Sequence, residues 1–93
     1  MGKFHAVHIG NVLVRLRKQK LKSQEQLAED SGLDPRTIQQ LEGNHQQPLN
    51  DTLYSLAYAL DIHPVEFFRL IHEEYCKNGH WPLQPAKEEG DLS

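Results

Sequence analysis

The stretch SQEQLAEDSGLDPRTIQQLEGN, residues 23–44, reads as two short helices joined by a tight turn. Ser23 followed three positions later by Gln26 is a capping-box pattern, in which each side chain satisfies a free backbone N–H. Gly32 is suited to the left-handed conformation that ends the first helix. Asp34 then caps the second, its carboxylate accepting first-turn N–H groups and suiting the positive end of the helix dipole. Pro35 stands at the first helical position, where its missing N–H costs nothing. Gly43 and Asn44 supply the stop. Leu27 and Ala28 are expected to face inward on the first helix, and Ile38 and Leu41 on the second. Ala28 is small enough to let the two helices approach closely. The helical period then turns Arg36 and Gln40 to the outer face, with Thr37 and Gln39 beside them.

Outward from this pair, the chain reads as scaffold. A helix over 9–20 places Ile9, Val12, Leu13 and Leu16 on one stripe and Arg15, Lys18 and Lys20 mostly away from it. After Pro48, a helix from near Asn50 to near Leu60 carries the core stripe Leu53, Leu56, Ala57 and Leu60. Tyr54 and Tyr58 lie four apart and off that stripe, as either a partner-contact pair or plain surface tyrosines. His63-Pro64 with Glu66 starts a last helix that runs to Lys77, where Asn78-Gly79 stops it. Phe67, Phe68 and Ile71 cannot all point into one core. The leftover face, with Leu70 and Tyr75, suits a two-fold dimer contact. Residues 1–8 have no periodicity and read as an N-terminal arm or a frayed end. Residues 9–72 form the domain, and 73–93 a helix extension and irregular tail that is a candidate dimer contact. Trp81 in that tail is expected to dock, on its own domain or across a dimer.

Ninety-three residues make one domain with one small core. Hydrophobic content of 38% and charged content of 25% are ordinary for a globular chain. No apolar run approaches the roughly 20 residues of a membrane span, and no signal-peptide pattern opens the chain. A single cysteine excludes an intramolecular disulfide framework, which points to a reducing cytoplasm. The net charge of −3 is unevenly spread. Residues 1–22 carry six Lys/Arg and no acid, 23–72 carry two against eight acids, and 73–93 two against five. A basic first helix can therefore face phosphates while the acids point elsewhere.

The span from Ile9 to about Leu70 resembles the phage-repressor/Cro-type helix-turn-helix family, also called the XRE family. The resemblance rests on Ile9-Gly10, Leu13, Leu16-Arg17, SQEQLA of 23–28, Gly32-Leu33, Thr37-Ile38, Leu41-Glu42, Pro48, Leu53, Ala57 and Leu60. It implies an all-α, five-helix domain with the helix-turn-helix at its second and third helices, binding double-stranded DNA as a homodimer. The second of the pair is then a recognition helix in the major groove. Arg36 is expected to fork onto a guanine edge, Gln40 to reach an adenine or guanine, and Thr37 to donate or to set its methyl against a thymine. Pro35 offers apolar contact alone. Gln24, Gln39, Asn44, His45 and Lys18 are the candidates for backbone contact, Asn44 being equally readable as a plain left-handed helix stop. The resemblance also implies a structural ion pair between Arg17 and Glu42. One departure stands out: the family has a glycine and an apolar residue before the second helix, and this chain has Leu21-Lys22. Leu21 is expected to supply the missing apolar contact one position early.

Other chemistry finds little support. His72, Cys76 and His80 recur every four residues, but Asn78-Gly79 interrupts the helix before His80 and no fourth ligand is evident, so no metal and no cofactor is expected. Cys76 lies beside Glu73 and Glu74, the wrong surrounding for a reactive thiolate. His5 and His8 find no third partner. No Gly-rich phosphate loop or nucleophile–base set appears, which argues against an enzyme. Two functions stand: a sequence-specific DNA-binding regulator acting as a homodimer, and a protein-interaction module that keeps the fold without binding DNA by itself.

Overall fold

A computed structural model describes residues 5–80, which carry five helices: α1 (Gly10–Gln19), α2 (Gln24–Ser31), α3 (Pro35–Glu42), α4 (Asn50–Ala59) and α5 (Pro64–Lys77). The N-termini follow local signals. Ser23 Oγ accepts from Gln26 N at 3.0 Å, Asp34 Oδ1 from Arg36 N at 2.8 Å, and His63 Nδ1 from Val65 N at 3.1 Å. Two helices lack such a cap. Leu49 before α4 is extended and makes no side-chain cap bond, and Ile9 before α1 makes none either.

All five helices end alike. In each, a backbone N–H reaches back five residues: Lys22 to Arg17, Leu33 to Ala28, His45 to Gln40, Ile62 to Ala57 and His80 to Tyr75. The residue before each donor is left-handed: Leu21, Gly32, Asn44, Asp61 and Gly79. This is the Schellman stop, which satisfies carbonyls that the helix end leaves free. Glycine, asparagine and aspartate tolerate the conformation, whereas a leucine pays about 1–2 kcal/mol of steric cost. Leu21 is therefore the outlier. Its side chain is 92% exposed, so the expected inward contact is not made. The left-handed backbone throws the side chain outward, and Lys22 turns in instead.

The core is a single cluster. Val12 and Leu13 of α1, Leu27 and Ala28 of α2, Ile38 and Leu41 of α3, Leu56 and Ala57 of α4, Leu60, and Phe67 and Ile71 of α5 are buried in it. Leu53 and Leu70 pack against it half-buried. Each large apolar side chain so buried contributes about 1.5–3 kcal/mol, against about 0–1 kcal/mol for an exposed ion pair. The pairing of Arg69 with Glu66 and Glu73 on the exposed side of α5 is thus a minor contribution to stability. α2 packs on α4 and α3 on α1, so the helix-turn-helix is seated on the scaffold from two sides.

The amino-terminal segment is tied down from His5 onward. Tyr75 Oη donates to the His5 carbonyl at 2.7 Å, and the His5 and His80 rings stack at 4.3 Å. This corrects one expectation. Tyr75 is buried against its own chain and does not belong to an exposed dimer face. Trp81 lies outside the described residues.

Candidate nucleic-acid interface

The outer face of α3 follows from its inner one. Ile38 and Leu41 are completely buried, which leaves Pro35, Arg36 and Gln39 exposed and Thr37 and Gln40 half-buried at the flanks. The Asp34 cap and the proline fix where the helix starts, so the first-turn side chains project from a defined backbone.

The far end of α3 is held by a buttress. Arg17 Nε lies 2.5 Å from Glu42 Oε2, and its Nη2 donates to Glu42 Oε1 at 3.1 Å. Gln24 Nε2 donates to the same Oε1 at 2.8 Å. The Arg17 and Glu42 side chains are only 12% and 7% exposed, so this bidentate pair is little screened by solvent. The Glu42 hydrogen bond raises the Arg17 pKa above its ordinary value, against the opposing effect of burial. One carboxylate thereby ties α1, α2 and α3 together. Gln24 keeps a second amide hydrogen and its oxygen beyond this contact.

The cations sort into two groups. Arg17, Lys22 and Arg69 each face a carboxylate. Arg15, Lys18 and Lys20 on and just after α1, Arg36 on α3 and Lys77 on α5 have no ion pair among the described residues. Four of these five come from the helices expected to meet DNA. The overall charge of −3 therefore misstates the local field.

The loop after α3 has a role that sequence reading missed. Asn44 Oδ1 accepts from Gly10 N at 2.9 Å, which supplies α1 with the cap that Ile9 lacks. Gly10 is required there, since a Cβ would sit 2.5 Å from the Glu42 carbonyl and closer still to Asn44 Oδ1. Asn44 is thus a left-handed stop and a cap together, with its amide N–H2 left as the group able to meet a phosphate. His45 is exposed beside it, and Lys18 is exposed on α1.

Elsewhere on the surface, α4 and α5 present apolar side chains. Tyr58 is 82% exposed, Tyr54, Val65 and Phe68 are also exposed, and the Tyr54 and Phe68 rings meet edge to face at 6.2 Å. Leu70 is half-buried at its margin. His72 Nε2 and Cys76 Sγ lie 3.4 Å apart on α5, and among the described residues no group of three or more His, Cys, Asp or Glu could hold a metal. No helix among them is long and apolar enough to cross a membrane.

A capped α3 buttressed by α1 and α2, outward-facing and polar, defines a helix-turn-helix domain. Comparison with known families matches a helix-turn-helix model to residues 13–67, more than half of the chain. The solved structures similar to it include two restriction-modification controller proteins. The restriction-modification controller protein C.AhdI from Aeromonas hydrophila is 40% identical, with 67% of this chain and 94% of that one covered and a TM-score of 0.63. The wild-type restriction-modification controller protein C.Esp1396I is 29% identical, with 74% and 90% covered and a TM-score of 0.68. A comparison with curated protein sequences found no match. The chain belongs to the XRE-type helix-turn-helix family: it is a DNA-binding transcriptional regulator and not an enzyme.

Proposed function

We propose that this protein regulates transcription by binding a two-fold-related operator as a homodimer, with α3 of each copy in the major groove. The observation that carries the reading is the pairing of an outward, fixed α3 with unpaired cations on α1. Arg36 is the base-reading residue of greatest reach, forking onto guanine O6 and N7, with Gln40, Thr37 and Pro35 completing the contact. Lys18, Gln24, Gln39, Asn44 and His45 meet phosphates and set the register. Two copies meet through Tyr54, Tyr58 and Phe68, on half-sites about one helical turn, roughly 10 bp, apart. Both named structural neighbours are restriction-modification controllers, and that likeness favours a controller role in the cytoplasm. Regulation then follows from occluding or recruiting polymerase at a promoter.

The exposed tyrosines favour a second reading, in which the α4–α5 face binds another protein and the chain does not bind DNA on its own. Selection from a random duplex pool at low and at near-physiological salt, with sedimentation of the complex, separates the two. The first reading predicts a two-fold motif and two chains per duplex. A folded protein that enriches nothing at either salt contradicts it and leaves the second.

A further inference from the structure

We propose that Lys22 is a positioning residue that fixes the helix-turn-helix against the α4–α5 face and so sets the half-site spacing the dimer accepts. The inference rests on the dimeric reading above. Its starting point is the departure from the family pattern, which has an apolar residue where this chain has Lys22. The left-handed Leu21 turns Lys22 inward, where its side chain is 23% exposed.

Three helices converge on this residue. The Lys22 ammonium pairs with Asp30 in the last turn of α2 and donates to the Ala59 carbonyl at 2.8 Å. Ala59 ends α4. The carbonyls of Leu56, Ala57 and Tyr58 find backbone N–H groups beyond the helix, and that of Ala59 takes the ammonium instead. A cation there also suits the negative end of the α4 dipole. The Lys22 backbone carbonyl accepts from Arg17 Nη1 at 2.9 Å, and the same guanidinium holds Glu42 of α3. The Lys22 hydrogen bond, helped by one from Gln26, holds the Asp30 carboxyl below its usual range. An apolar residue here would fill the turn equally well but could bond neither acceptor. Tyr58, beside Ala59, belongs to the face where copies meet. A change of angle between α2 and α4 at this junction is therefore magnified at the two recognition helices, which lie about 34 Å apart on DNA.

The test uses the full chain and duplexes carrying the motif that the wild type selects. Half-site separation is varied by one base pair in each direction, and a single half-site serves as control. Lys22→Met introduces an apolar residue, as in the family pattern, and is expected to fold. It should bind the half-site within about twofold of wild type, while the preference for the best spacing falls about threefold to fivefold. Lys22→Arg should recover most of that preference, and Asp30→Asn should lose part of it. A Lys22→Met profile identical to wild type overturns the inference. So does a loss confined to half-site affinity, which would make Lys22 a support of α3 alone. A wild type that selects no two-fold motif contradicts the dimeric reading itself, before any variant is compared.

Discussion

On α3, Arg36, Gln39 and Gln40 meet solvent above a floor of Ile38 and Leu41, whereas on α4 and α5 Tyr54, Tyr58, Val65 and Phe68 meet it directly. The first face keeps its polar groups in water and holds its backbone still through Arg17, Gln24 and Glu42. The second leaves apolar area uncovered. A surface built to exchange hydrogen bonds with a charged, hydrated partner gains from rigidity and little from hydrophobic area, and a surface built to be covered gains the reverse. The same small core serves both, because the polar face borrows its rigidity from neighbouring helices.

That contrast can be broken from either side. The largest effect is expected from Glu42→Ala, which strands Arg17 in a site where its side chain is 12% exposed. Unfolding in urea should show a loss of about 3 kcal/mol, since removing one partner of a buried pair leaves an uncompensated charge. A loss under about 0.5 kcal/mol would mean that the buttress holds nothing. Next comes Tyr58→Ala on the apolar face. Association of the proposed dimer, followed by sedimentation, should weaken by about tenfold, while monomer stability stays within about 0.5 kcal/mol because the side chain is exposed. Equal damage to folding would place Tyr58 in the scaffold. Leu21→Gly should stabilise the chain by about 0.5–1 kcal/mol, the relief of left-handed strain exceeding the added freedom of the unfolded state. Thermal melting checks the sign. The smallest effect belongs to Lys18→Ala, which should weaken all DNA sequences alike and flatten the salt dependence by about one unit of slope.

Legibility in the sequence followed the range of the signals. The bounds of α2 and α3 could be read because Ser23, Gly32, Asp34 and Pro35 act on their own neighbours. The core stripes could be read because periodicity is local too. Leu21 departs from expectation because the helix stop dictates a left-handed backbone there, which apolar character alone does not reveal. Tyr75 departs from expectation for a different reason. Its hydroxyl bonds a carbonyl 70 residues away in sequence, and periodicity shows that a face needs cover without showing what supplies it. The Asn44–Gly10 cap, separated by 34 residues, and the contact of Lys22 with Ala59, separated by 37, were invisible on the same ground. Arg17 and Glu42 could be paired only through the family resemblance.

The claim that α3 reads bases rests most directly on Arg36, exposed at the start of that helix and unpaired among the described residues. The decisive measurement compares the motif selected from a random duplex pool by the wild type with that selected by Arg36→Ala. Loss of preference at one base pair of each half-site, with the rest of the motif intact and affinity down by about 1–3 kcal/mol, is the predicted result. An unchanged motif would contradict it and take Arg36 out of the groove.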